Sequence, residues 1–110
     1  MEEIMNRIEL PSGGWVEHVD VDTLITKHRK FVLAQGDKAE GDVMKTVAYQ
    51  DALLAVSITA WSFEFPIPWI KKDSVDLLPP KDYAFLLKGL AKEADTALFP
   101  EVEDKDDPKA

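Results

Sequence analysis

The sequence predicts a mainly α fold: an N-terminal β-hairpin packed on three helices, with one central apolar helix and a disordered acidic C-terminal tail. Three observations carry this. Between Ile8 and Val21 apolar residues alternate on either side of Pro11-Ser12-Gly13-Gly14, a period of two interrupted by a turn. From Val21 onward the apolar spacing changes to three and four, the period of one helix face. Finally, Ala52–Trp61 is apolar nearly all round, which suits a helix covered on every side.

Residues 1–6 show no pattern and are expected to fray. The hairpin is expected over residues 7–21. Ile8 and Leu10 alternate with Glu9; Trp15, Glu17 and Val19 face one way, Val16 and His18 the other. Gly13 and Gly14 are expected to supply positive φ for the turn. An isolated hairpin is marginal, so it must pack on something, and Trp15 is the expected anchor. The first helix is expected over about 22–35, with Val21, Leu24, Ile25, His28, Phe31 and Val32 as its apolar stripe. Asp20 or Asp22 is the candidate N-cap, and Gly36 the stop.

Polar residues 36–42 lead into the central helix, expected over about 42–62, with Val43, Met44 and Val47 turned inward. Covering its second half takes the hairpin and both other helices, or a second subunit, so a homo-oligomer is one solution. Pro66 and Pro68 bar further helix and bias Phe65 and Ile67 toward extended geometry. Phe63, Phe65, Ile67 and Trp69 then alternate along an extended segment. Asp73 or Ser74 is expected to cap a short turn. Pro79-Pro80 opens the last helix, about 80–98. Its buried stripe is Tyr83, Leu86, Leu87, Leu90, Ala91, Ala94, Ala97 and Leu98, slightly weakened by Gly89. Residues 1–100 thus form a single domain. Residues 101–110, with five acids and two lysines, form a flexible tail.

Composition narrows the function. The chain has no cysteine, which removes disulfides and thiolate metal sites and fits a reducing compartment. No apolar run approaches the ~20 residues that span a bilayer. Met1-Glu2-Glu3 is acidic where a secretion signal is basic, so a cytoplasmic location is expected. Against 21 acids stand 13 bases, for a net charge of −8. Nucleic-acid binding needs Lys and Arg to neutralise phosphate, and no basic stripe is present. The densest basic cluster, Lys27-His28-Arg29-Lys30, reads as a solvated helix face with His28 partly turned inward.

No catalytic, cofactor-binding or metal-ligating residue is assigned. His18 and His28 do not stand in a metal-binding pattern, and no phosphate-binding glycine motif occurs. Ser57, Thr59 and Ser62 lie in or at the end of an apolar helix, where hydroxyls bond to the preceding turn. The carboxylates of the tail lack the fixed geometry a catalytic pair needs. The expectation is a non-enzyme, without cofactor, that works by protein contact and binds neither nucleic acid nor membrane.

The densest aromatic stretch is Ile58–Trp69, ITAWSFEFPIPW. It reads as a core corner, as a partner-docking patch, or as a base-stacking platform, the last lacking its basic groove. The partner-binding candidates are Trp61, Phe63, Phe65, Ile67 and Trp69, followed by Phe31, Tyr83 and Leu87. If the stretch is a patch, replacing Phe65 and Trp69 together with alanine removes binding and spares the fold. If it is core, the double variant unfolds.

The segments LPSGGWVEHVD, YQDALLAVSITAWSFEFPIP and VDLLPPKDYAFLLKGLAKEADTALFPE resemble those of small proteins of long-tailed bacteriophages and prophages, in the tail assembly chaperone class. In these a Leu-Pro-Ser-Gly hairpin precedes two helices, the second ending in Trp-Ser-Phe, and Leu-Pro-x-x-Asp-Tyr opens the last helix. The resemblance covers roughly residues 8–103. It implies a small helical protein of the host cytoplasm during virion assembly. Such a protein keeps the apolar, helical tape measure protein soluble until tail tube protein polymerises around it, and is absent from the finished particle. The alternatives are a structural head–tail connector or tail component of the virion, and a non-viral interaction module.

Overall fold

Pro11-Ser12-Gly13-Gly14 makes the turn its composition requires, in a computed structural model that describes residues 6–100. The expectations for residues 1–5 and for the acidic tail, 101–110, lie outside the described residues. The Gly13 N–H donates to the Leu10 carbonyl and the Leu10 N–H to the Gly14 carbonyl, closing the loop between β1 (Asn6–Glu9) and β2 (Trp15–His18). The two glycines serve different needs. Gly13 sits at φ 101°, where a side chain is strained. Gly14 does not have positive φ, contrary to expectation; a Cβ there would lie 2.7 Å from Ser62 Oγ, so it is glycine for room.

The hairpin is shorter than residues 7–21, and its anchor is not Trp15. Ile8 pairs with Val16, and Val16 and Leu10 enter the core. Trp15 stays on the outer face, half-buried beneath the Arg7 guanidinium at 4.0 Å. Arg7 also pairs with Glu17 across the strands at 2.8 Å.

Asp20 caps a single 3-10 turn (Val21–Thr23), accepting from the Asp22 N–H, rather than the helix itself. The first helix begins later and ends later than 22–35: α1 spans Thr26–Lys38. The Ile25 N–H donates to His28 Nδ1 at 3.0 Å, so the histidine caps the helix start. Ile25 is consequently exposed and leaves the expected stripe, while Val32 is buried. Gly36 does not stop α1. A Cβ there would lie 3.6 Å from the Lys45 carbonyl, an ordinary contact distance, so α1 passes α2 at Gly36 with room for a small side chain. Lys45 reaches back from α2 to cap the end of α1, donating to the Ala39 carbonyl at 2.9 Å.

The central helix α2 spans Asp42–Ser57, starting where expected but ending before Trp61. Ala52 through Ser57 are all buried, as an all-round apolar segment demands. The next segment, Ile58–Trp61, is a strand, β3, antiparallel to β2 in a sheet of order β1-β2-β3. The cause is twofold. Ile58 and Thr59 are β-branched and Trp61 is aromatic, which suits a pleated, half-buried surface. The free edge of β2 also needs backbone partners. The Val19 N–H donates to the Ser57 carbonyl and the Ser62 N–H to the Trp15 carbonyl at the two ends of this pairing. The register shifts by one residue at Glu17–His18, leaving Thr59 as the extra residue of a bulge. Of the three hydroxyls expected to bond back within the helix, only Ser57 does so, to the Leu53 carbonyl. Thr59 donates across to the Glu17 carbonyl, and Ser62 Oγ accepts from the Trp15 N–H.

A 3-10 helix (Lys72–Leu77) comes after the proline-rich segment, with no side-chain cap from Asp73 or Ser74. Ser74 is buried instead, and its hydroxyl meets no partner among the described residues. An unmade buried hydrogen bond costs stability, so Ser74→Ala is expected to match the parent or exceed it by about 1 kcal/mol in urea unfolding.

The last helix runs as α3 (Pro80–Leu86), a π turn (Leu87–Ala91) and α4 (Lys92–Leu98). Most of its stripe is as expected: Leu86, Leu90, Ala91, Ala94 and Leu98 are buried in one core with Leu54, Val16 and Val32, while Tyr83, Leu87 and Ala97 are only half-buried. The fold is therefore mostly helical, with the hairpin extended to three strands. Among the described residues no helix is long and apolar enough to cross a membrane.

Candidate functional site: an aromatic corner beside an apolar groove

The aromatic stretch divides into two parts. The first is a corner. Trp61, last residue of β3, is buried and receives Phe63 and Phe65 edge-on, both at 5.3 Å between centroids. Phe63 and Phe65 stack on one another at 5.4 Å. Trp61 Nε1 donates to the Phe65 carbonyl at 2.8 Å, which folds the chain back on itself. Ile67 continues the inward alternation of burial, but the backbone is not the extended segment expected: it bends over residues 62–65, and the Ile70 and Lys71 N–H groups donate to the Ile67 carbonyl in the turn that carries Trp69. Trp61, Phe63, Phe65 and Ile67 all pack against the core.

The second part faces out. Trp69 is 52% exposed, resting on Phe31 of α1 at 5.1 Å and edge-on to His28 at 6.4 Å. Next to it Ile70 is 72% exposed, and Leu77, on the 3-10 helix, is also open. Trp69 and Ile70 form a shelf that reaches, through the Trp69–Phe31 contact, a groove of about 320 Å3 between α1, α2 and the 3-10 helix. Phe31, Met44, Val47, Ala48, Ala52 and Ala55 supply its apolar lining. Val43 and Met44 do not make the expected inward turn. Both are exposed, because the first turn of α2 extends past the residues that cover its second half.

The remaining candidates separate. Leu87, on the π turn, lines a second groove of about 660 Å3 with Leu33, Gly36 and Tyr49. Tyr83 points at the first groove's edge, donating to Asp51 Oδ1 at 2.5 Å. Sequence reasoning missed Met44, Ile70, Leu77 and the alanines of the lining. The one signal available was Ala48, Ala52 and Ala55, spaced four and three apart along one face of α2.

The chain's two tyrosines make the same bond. Tyr49 donates to Asp95 as Tyr83 does to Asp51. Burial, and then the bonded carboxylate, pushes both phenols well above their ordinary value; Arg29 works weakly against this at Tyr49. Burial also raises the Asp51 carboxyl, opposed by the Tyr83 bond and reinforced by Asp76. A raised phenol contributes stability fully present below about pH 10 and lost as pH rises through the folded-state value. In an absorbance titration the native protein is expected to show almost no tyrosinate near pH 10, where the urea-unfolded chain is half ionised. Tyrosinate then appears together with loss of helical circular dichroism. Independent ionisation of either residue near pH 10 in folded protein would show that its bond does not hold.

The three motifs that carried the resemblance turn out to bond to one another. Ser12 of Leu-Pro-Ser-Gly donates from its N–H (3.0 Å) and its Oγ (2.5 Å) to the buried Asp82 of Leu-Pro-x-x-Asp-Tyr. Ser62 of Trp-Ser-Phe meets Trp15 of the hairpin through both backbone and side chain. Comparison with protein-family models, curated proteins and solved structures gives no match.

Proposed function

We propose that this protein is a non-catalytic assembly chaperone of the kind it resembles. It holds an apolar helix of a tape measure protein, and tail subunits, soluble in the host cytoplasm during phage tail assembly. The observation that carries this reading is the exposed shelf of Trp69 and Ile70, joined through the Trp69–Phe31 contact to the groove whose apolar lining includes Phe31 and Met44. An amphipathic helix binds such a groove through apolar side chains spaced three and four apart. The remaining surface is well charged, and a net charge of −8 keeps a protein with open apolar surface from self-association. The corner in which Phe63 and Phe65 pack on buried Trp61 serves this arrangement by fixing the segment that presents Trp69.

The test is quantitative mass spectrometry of lysate from producing cells against purified particles, with a tagged copy pulled down in parallel. The chaperone reading expects the chain in lysate, not in particles, with a long helical protein bound. Stoichiometric presence in particles identifies a connector or tail component instead. A specific partner in cells that make no particles identifies a non-viral interaction module.

A further inference from the structure

The groove beside Trp69 is not electrically neutral in its arrangement. Asp51, Asp73 and Asp76 lie along it, the last two being exposed residues of the 3-10 helix. Lys38 and Lys72 are the lysines of the same lining, and Lys72 is turned toward Gln35, donating to its Oε1 at 3.3 Å. Among the described residues the one ion pair within 4.0 Å is Arg7–Glu17, so none of these three carboxylates is neutralised by a cation among them. Asp51 and Asp76 act on each other as like charges, and Asp51 is partly withdrawn from water. A cation brought there offsets the repulsion and favours the ionised form of Asp51, in a setting less screened than open surface.

We propose that the groove receives an amphipathic helix whose apolar face is flanked by lysine or arginine, the basic flank lying against Asp51, Asp73 and Asp76. This rests on the helix-holding reading above and names the chemistry of the partner. Apolar burial supplies the attraction, and the carboxylates select the partner's orientation and charge.

The probe is a pair of fluorescent, designed leucine–alanine helical peptides of equal length, one flanked by lysine and the other by glutamate. Each is titrated by anisotropy against the full chain at low and high salt. The lysine-flanked peptide is expected to bind roughly tenfold more tightly at low salt, from a few exposed pairs acting together, with the advantage shrinking as salt rises. The double variant Asp73→Asn, Asp76→Asn is expected to lose most of that preference. Both residues are exposed, so its circular dichroism and melting serve to confirm the fold. Asp22→Asn with Glu93→Gln makes the same change in net charge at a separate depression and is expected to keep the preference. Equal binding of the two peptides overturns the charge selection and leaves the helix-holding reading standing. A preference that survives Asp73→Asn, Asp76→Asn also overturns it, by placing the selection elsewhere. Binding of neither peptide overturns both.

Discussion

Replacing Asp82 with alanine is expected to lower the free energy of unfolding by roughly 3 kcal/mol. Asp82 is fully buried in the first turn of α3, and two hydrogen bonds from Ser12 satisfy it. Bonds to a charged acceptor are worth about 1.5–3 kcal/mol each, and a carboxylate near a helix N-terminus gains a further 0.3–1 kcal/mol or so. Against these stands the cost of burying the charge, which alanine removes, so the net is less than the sum. Ser12 is exposed and regains water when its acceptor is lost, which also moderates the effect. For a domain of this size the melting temperature is expected to fall by roughly 10–20 °C. Asp82→Asn keeps one acceptor oxygen and should fall about halfway. The measurement is urea unfolding of Ser12→Ala, Asp82→Ala and the double variant, in which the coupling should exceed about 1 kcal/mol. Coupling near zero would mean that the hairpin turn and the last helix are merely adjacent.

The second large effect separates two tryptophans eight positions apart in the chain. Trp61→Ala is expected to cost about 3–5 kcal/mol, because it empties the centre of the aromatic corner and removes the bond to the Phe65 carbonyl. Trp69→Ala is expected to cost less than about 1 kcal/mol, since half of the side chain already faces solvent. Its expected loss is in partner capture. Phe65→Ala should resemble Trp61→Ala more than Trp69→Ala, because Phe65 packs on both Trp61 and Phe63. The variant replacing Phe65 and Trp69 together therefore mixes a core defect with a surface one, and the single variants are the informative ones. If Trp69→Ala melts like Trp61→Ala, the shelf belongs to the core and the groove loses its rim. If Trp69→Ala retains full capture of the partner, contact lies elsewhere on the protein.

The features legible in the residues were those that depend on local chemistry. The turn at Pro11–Gly14, the start of α2 at Asp42, the opening of the last helix at Pro80 and the stripe from Leu86 to Leu98 all come from turn residues, capping and a period of 3.6. The aromatic stretch also announced its inward alternation through Ile67, but not the bends over 62–65 or the turn after Ile67, which came with the packing of Phe63 and Phe65 on Trp61. Only the tertiary structure decided what each segment meets. Ala52–Trp61 is equally apolar as helix or strand, and the open edge of β2 decided in favour of a strand for Ile58–Trp61. Gly36 reads as a stop, yet α1 continues through it to Lys38. Asp82 reads as an ordinary first-turn acid until Ser12, seventy positions away, is brought against it. The groove is the furthest from the sequence, since Phe31, Met44 and Asp76 come from three elements. Period and propensity describe one element at a time, whereas a surface able to hold a partner is made by the packing of several.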